Sequence, residues 1–286
     1  MSFGKTGTSG NDIIYGLVKL KTEYGTIPGE YASPLDYPFV YFDKNGVFKG
    51  YSAAFYGANS GSSIIGKAKE YLKGNVYDSA NKEYTGEILE AYVLLRRDYE
   101  LTSDEKFDNL AQIQGNMYID LGGFTITSVH KDLFPSCIKG WSGSGDEKVY
   151  PTTVSVKNGS IVTKNNAVIT FSVWNSVGGD DAAAMLDKLF VYNFENVSFS
   201  LASGSAADDT LISYSLNSAT PEAAGNAAVN FNDCIFDYKT IASSKAITLF
   251  NADPSSDGSK LSIAVNVNGG EVLVNDLSKV SFGMAG

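Results

Sequence analysis

Five copies of one short unit constrain this chain more than any other feature of its sequence. The clearest copy reads Asn116-Met117-Tyr118-Ile119-Asp120-Leu121-Gly122-Gly123-Phe124-Thr125-Ile126-Thr127-Ser128. Apolar and polar residues alternate, a glycine pair interrupts, and the alternation resumes, which is the pattern of two short strands meeting at a bend. With the apolar residue before each bend as anchor, Leu121-Gly122-Gly123-Phe124-Thr125-Ile126 aligns with Val156-Lys157-Asn158-Gly159-Ser160-Ile161 and with Phe194-Glu195-Asn196-Val197-Ser198-Phe199. The remaining copies are Phe231-Asn232-Asp233-Cys234-Ile235-Phe236 and Val267-Asn268-Gly269-Gly270-Glu271-Val272, so the anchors lie 35, 38, 37 and 36 residues apart.

The third position of the unit holds Gly123, Asn158, Asn196, Asp233 and Gly269. These residue types best tolerate the left-handed backbone region, so a single one turns a strand sharply without a loop. Two positions before the anchor stand Ile119, Val154, Tyr192, Val229 and Val265; five after it stand Ile126, Ile161, Phe199, Phe236 and Val272. Those columns read as the inward face. A unit this short cannot bury such a face alone, so the copies must stack as a solenoid. A third strand per copy reads at 133–138, 168–172, 211–215 and 247–251, and the loops 141–151, 176–187, 217–225 and 252–259 fall in equivalent places.

Three strands per turn with a tight bend between the first two resembles the pectin-lyase-like superfamily, whose members commonly carry an asparagine ladder at such a bend. The resemblance spans roughly residues 51–286 and implies an all-β right-handed parallel β-helix, a solenoid with one coil per copy. Residues 1–50 form an amino-terminal extension, in which 39–42 and 47–51 read as a β-hairpin with Asn45-Gly46 supplying the positive φ values of its turn. Residues 62–72 switch to a helical pattern, with Ile64, Ile65, Ala68, Tyr71 and Leu72 on one face, Ser62 or Ser63 as cap and Gly74 as stop. An amphipathic helix laid there covers the open edge of the first coil; a partner-binding surface is its alternative role. A strand entering the solenoid begins at Glu90. The run from Tyr24-Gly25-Thr26-Ile27-Pro28 through Leu94-Leu95-Arg96-Arg97-Asp98-Tyr99 to Ile119-Asp120-Leu121-Gly122-Gly123 resembles the amino-terminal modules of large cell-surface proteins of gut Firmicutes. That likeness implies an extracellular, cell-surface location more than a chemistry.

Charge narrows the partners. The chain carries 32 acidic and 22 basic residues, a net charge of −10 and a pI near 4.6, whereas phosphate binding needs clustered Lys and Arg, so no nucleic-acid partner is expected. Only Arg96 and Arg97 supply guanidinium groups, which disfavours a polyanionic substrate as well. Cys137 and Cys234 have no metal-type spacing, and Cys234 falls in a post-bend column as a small buried hydrophobe, so no disulfide is expected. No apolar run approaches the ~20 residues that span a bilayer, and the first ten residues read as a trimmed start, not a signal peptide. Residues 279–283 are strand-like and no charged cap follows, so a continuation of the chain or a partner is expected to cover the open solenoid end.

Catalytic constellations are thin. Superfamily enzymes place their chemistry on outward positions of the first-strand sheet, which the alignment gives as Asp120 and Gly122, Ser155 and Lys157, Asn193 and Glu195, Asn230 and Asn232, Asn266 and Asn268. Asp120 and Glu195 are the only acids, two coils and two residues apart, with backbones roughly 11 to 12 Å from one another. Glycosidase pairs need ~5.5 Å, or ~6.5 to 9.5 Å for inversion. A lyase needs a base and cations beside a uronate, and Lys157 stands alone. His130 is the sole histidine and has no nucleophile motif. The loop acids Asp146, Glu147, Asp180, Asp181, Asp208, Asp209, Glu222, Asp253 and Asp257 read as a solvated rim, with a calcium site as the weaker alternative because no calcium-loop motif is present. Asn193, Asn230 and Asn266 form a column that either bonds to itself as a ladder or meets sugar hydroxyls; with no aromatic column alongside, the ladder is preferred.

The sequence therefore points to a non-enzymatic, adhesin-like bacterial surface module, a rigid stalk or ligand-presenting face. No residue is assigned a catalytic, cofactor-binding or metal-binding role, and a polysaccharide or host cell-surface molecule is the expected kind of partner. A glycoside hydrolase or lyase using Asp120, Glu195 or the loop acids, and a carbohydrate-binding module, are the alternatives.

Overall fold

Strands of one copy pair in parallel with the same strands of the next. The computed structural model describes residues 19–57, 60–72, 77–78, 83–84, 88–105, 115–128, 132–139, 152–164, 168–174, 189–202, 209–217, 224–239, 247–252, 260–276, 278 and 280–281. Strands dominate among them and Ile64–Leu72 is their single α-helix, so the chain is all-β in class. Asn116–Asp120, Thr152–Thr163, Leu189–Leu201, Ala224–Asn232 and Lys260–Asn268 are consecutive parallel neighbours. Beyond the bend a second parallel set links Thr125–Ser128, the far halves of Thr152–Thr163 and Leu189–Leu201, Ile235–Asp237 and Glu271–Leu273. A separate five-stranded parallel sheet joins Phe134–Lys139, Ile169–Trp174, Asp209–Asn217, Ile247–Ala252 and Val280–Ser281, where the third strands are expected. The loops expected between third and first strands lie almost wholly outside the described residues.

The large sheet is mixed, not purely parallel. Glu90–Leu95 adds in parallel to Asn116–Asp120, but Phe39–Asp43 pairs antiparallel both with it and with Phe48–Ser52. The hairpin is thus hydrogen-bonded into the sheet as its edge. Its turn also departs from the expected form, because Gly46 (φ 75) has positive φ and Asn45 does not. The Asp43 carboxylate accepts the N–H groups of Asn45 and Val47 at 2.9 and 3.0 Å, and Gly46 N–H donates to the Asp43 carbonyl at 3.0 Å. That aspartate-centred turn holds Asn45 in the ordinary region and leaves the left-handed residue of a three-residue loop to Gly46.

The inward columns form one continuous core. Ile119, Val156, Phe194 and Phe231 stand in register and are each 1% exposed or less, while Val267 on the last strand is 43% exposed. Phe194 stacks on Phe231 at 5.3 Å and Phe199 on Phe236 at 5.5 Å, with Phe194 and Phe199 meeting edge to face. Aromatic pairs of this geometry add about 0.5–1.5 kcal/mol each beyond the area they bury. The helix seals this core where the hairpin joins the sheet: Ile64, Ile65, Ala68 and Leu72 are fully buried in the same cluster. Ser63 is its cap, its Oγ accepting Gly66 N–H at 2.9 Å.

The first copy is slipped by two residues from the repeat alignment. Val156 pairs with Ile119, not Leu121, and Val154 pairs with Met117, although Ile161 pairs with Ile126 as expected. The difference sits in the bend. The first bend carries two more residues between its paired positions, Ile119 and Ile126, than the second carries between Val156 and Ile161. Phe124 N–H closes a turn over Gly122 and Gly123 on the Leu121 carbonyl at 2.8 Å; Gly269 and Gly270 are likewise both left-handed yet stay in register. Leu121 is therefore an extra core residue, 1% exposed, folded over Gly159. A Cβ on Gly159 would overlap Leu121 Cβ and the Phe124 carbonyl oxygen.

On the opposite face of the sheet, Ile27, Val40 and Phe42 form a small second core with Tyr24, Phe48, Tyr92 and Leu94 against it. Arg96 anchors the segment that covers this core. Its buried guanidinium donates to the carbonyls of Tyr31, Ala32 and Tyr37.

Candidate functional site

The corrected register redraws the outward face of the first-strand sheet. One row now runs Tyr92, Tyr118, Ser155, Asn193, Asn230, Asn266, and its neighbour runs Asp120, Lys157, Glu195, Asn232, Asn268. The asparagines are laddered: Asn266 Nδ2 donates to Asn230 Oδ1 and Asn230 to Asn193, both at 2.8 Å, and Asn193 donates to Ser155 Oγ at 3.2 Å. Asn268 donates likewise to Asn232 at 3.0 Å. All these amides point their donors toward the amino-terminal copies.

The tyrosines that head the first row were not legible as a feature of it, because the two-residue slip set Asp120 beside Ser155 in the alignment. Their signal was the parity of Met117 and Ile119, which places Tyr118 outward. Tyr118 stacks on Tyr92 at 4.7 Å and Tyr92 on Tyr24 at 5.5 Å. Burial, reinforced by hydrogen bonds to carboxylates, pushes the phenols of Tyr24 and Tyr92 well above their usual range, so both remain donors.

Asp120 is a structural node. Its Oδ2 accepts Tyr24 Oη–H at 2.5 Å, its Oδ1 accepts Gly122 N–H at 2.8 Å and Asn158 Nδ2–H at 3.4 Å, and Lys157 Nζ lies 3.8 Å away. The residue is 5% exposed. Lys157 is committed too: it pairs with Glu23 at 3.0 Å and sits 5.4 Å over the Tyr24 ring. Glu23 is held below the usual carboxylate range, first by its hydrogen bond with Tyr24 and then by Lys157. Glu195 stands in the same row as Asp120, not two residues along, which sets their backbones roughly 10 Å apart. Lys157 occupies the strand between them. Asp120 and Glu195 thus fail as an acid pair through chemistry more than through distance: one carboxylate is saturated and a lysine divides it from the other.

The bend column lines an open trough of about 270 Å³. One wall is Asn158, Asn196 and Asp233, the other is Ser160, Ser198 and Ile235, and Gly159 and Val197 lie between. Asn196 Nδ2 donates to Asn158 Oδ1 at 3.3 Å, and Asn158 passes the polarity on to Asp120. The ladder stops at Asp233, which has no side-chain donor to pass on, and whose Oδ1 lies where a Cβ on Gly269 would stand. Phe124, 36% exposed, adjoins Gly123 at one end, and Ile235, 37% exposed, closes the other.

The remaining expected residues contribute little. Cys234 is a buried free thiol that burial pushes upward, its Sγ near the carbonyls of Phe194 and Asn232. His130 and the loop acids Asp146, Glu147, Asp180, Asp181, Asp208, Glu222, Asp253 and Asp257 lie outside the described residues, and nothing is described of the side chain of Asp209. Among the described residues no group of three His, Cys, Asp or Glu side chains is placed to hold a metal ion, and no helix is long and apolar enough to cross a membrane. Compared with known protein families, curated proteins and solved structures, the chain has no match.

Proposed function

We propose that this chain is a right-handed parallel β-helix module of a bacterial cell-surface protein, a non-enzymatic, rigid surface that presents ligand-binding side chains. Three parallel strand sets recurring at one period support the coiled architecture, and parallel crossover connections are almost always right-handed. The surface location rests on the resemblance of the amino-terminal run described above. The observation that carries the non-enzymatic reading is the state of Asp120: an outward acid of the first-strand face is spent on Tyr24, Gly122 and Asn158. Val267 on the edge strand Lys260–Asn268 is exposed while its counterparts are buried, which supports a partner against that edge.

Incubation with a panel of neutral and acidic polysaccharides, followed by assay of reducing ends and unsaturated uronates, tests the reading. No turnover is expected. Turnover that disappears in Glu195→Ala or Asp180→Ala overturns it in favour of a hydrolase or lyase.

A further inference from the structure

We infer that the trough along the bend column binds a neutral polysaccharide chain. The inference rests on the reading of this chain as a binding surface and names the ligand class that surface takes. Its first support is unmet hydrogen-bonding capacity. Among the described residues, the hydroxyls of Ser160 and Ser198 and the carboxylate of Asp233 have no side-chain partner, and Asn196 spends only its Nδ2. Strands stack ~4.8 Å apart, so the two walls present these groups as paired rungs over roughly 10 Å. The Asp233 carboxylate and Asn196 Oδ1 accept hydroxyl donors, and the Ser160 and Ser198 hydroxyls both donate and accept. The hydroxyls of a sugar ring, each donor and acceptor at once, match this set.

The second support is apolar: Ile235, 37% exposed, is part of the trough lining. A pyranose has an apolar ring face and polar edges, and an exposed aliphatic side chain beside polar rungs covers part of that face. Charge then selects the class of sugar. Asp233 is the one charged side chain lining the trough and no cation lines it, so uronates, phosphates and sulfates are repelled.

Other occupants fit worse. An extended peptide binds a sheet by pairing with a free strand edge, but the backbone of Thr152–Thr163 and Leu189–Leu201 beneath the trough is already paired on both sides. Calcium takes six to eight oxygens, and a single carboxylate with neutral neighbours is a poor set. The volume falls below the ~300–1,000 Å³ of pockets that enclose a whole drug-sized ligand, so the trough grips a short stretch of a longer chain.

Affinity electrophoresis or calorimetry with a soluble mixed-linkage β-glucan, a xylan, a galactomannan and polygalacturonate tests this. At least one neutral polymer is expected to be retained, polygalacturonate is not, and EDTA leaves retention unchanged. Asp233→Asn and the double variant Ser160→Ala/Ser198→Ala are each expected to weaken retention at least tenfold, while Asn266→Ala, outside the trough, leaves it as it was. Asp233→Asn keeps a residue tolerant of positive φ and supplies the donor that Asn196 Oδ1 lacks, so it folds at least as stably as the parent; circular dichroism and thermal unfolding check this. Retention of no neutral polymer, retention unaltered by both variants, or retention abolished by EDTA overturns the assignment. Release of reducing ends from a retained polymer instead overturns the non-enzymatic reading and leaves the trough standing.

Discussion

The Tyr24 phenol donates to Asp120 Oδ2 across 2.5 Å, joining residues 96 positions apart in the chain. That contact fastens the amino-terminal segment across the outer face of the sheet, and the Tyr24–Tyr92–Tyr118 stack and the Lys157–Glu23 pair lie beside it. The outward acid of the first copy thereby becomes a fixed acceptor. Removing the phenol oxygen alone, in Tyr24→Phe, keeps the stack but leaves a buried carboxylate short of a donor, which costs about 1–3 kcal/mol. Urea unfolding should show that loss, and a midpoint unchanged from the parent would show that the contact is dispensable.

The same tyrosines predict an alkaline limit. A phenol whose folded pKa is raised stabilises the fold fully below its unfolded value of about 10, and that contribution is lost as pH climbs above it. Tyr24, Tyr92 and Tyr99 are all raised, chiefly by burial and then by their hydrogen bonds to Asp120, Glu90 and Glu105. Stability should therefore be flat from neutrality to about pH 10 with respect to these groups and fall steeply beyond it. In Tyr24→Phe the fall should be shallower, as read from denaturant midpoints across that range.

Much of this architecture was readable from spacing because the columns obey simple physics. Asn158, Asn196 and Asp233 do sit at positive φ one above another, and the third strands fall where alternation places them. The first copy misled because Leu121-Gly122-Gly123-Phe124 satisfies the same apolar-bend-polar pattern as the other bends while holding two more residues between its paired positions, Ile119 and Ile126. Pattern alone cannot distinguish it from Val267-Asn268-Gly269-Gly270, whose glycines are both left-handed too but stay in register. Only the buried partner of Leu121, the bare backbone of Gly159, reveals the difference. The amino-terminal cover was illegible for another reason: Tyr24 is tied to Asp120, and Arg96 to the carbonyls of Tyr31, Ala32 and Tyr37, by contacts that leave no period in the sequence.

A glycine in that first bend and the one beneath it should respond in opposite ways. Gly123 has φ 84 and open space around a would-be Cβ, so Gly123→Asn, which tolerates the left-handed region, should change stability by less than about 1 kcal/mol. Gly159 has no positive φ to excuse it, yet Gly159→Ala drives a methyl into Leu121 and should cost about 1–3 kcal/mol through overpacking. Equal effects at the two sites, measured by thermal or urea unfolding, would contradict the slipped register.

Core depth gives a gradient along the stacked strands. Phe194 is fully buried and touches Phe199 and Phe231, so Phe194→Ala should cost about 3–5 kcal/mol. Val267 occupies the same column one edge further on and is 43% exposed, so Val267→Ala should fall within about 1 kcal/mol of the parent. A similar loss at both positions would mean that the last strand is covered in solution.

The polarity of the outer ladder makes a last, sharper prediction. Asn230 both receives from Asn266 and donates to Asn193 at 2.8 Å. Asn230→Asp preserves shape and keeps the first bond but turns the second into two acceptors facing one another. At neutral pH this should lose about 1–2 kcal/mol relative to the parent. Because the carboxylate is disfavoured there, its folded pKa must lie above the unfolded value of about 3.9, so protonation favours the fold. The deficit should therefore shrink as pH falls from 7 toward 4, whereas the deficit of Asn230→Ala should stay constant. Unfolding midpoints of the two variants against pH separate the cases: parallel curves would show that the Asn230 amide does not donate along the row, and the ladder would then be an accident of spacing instead of a bonded column.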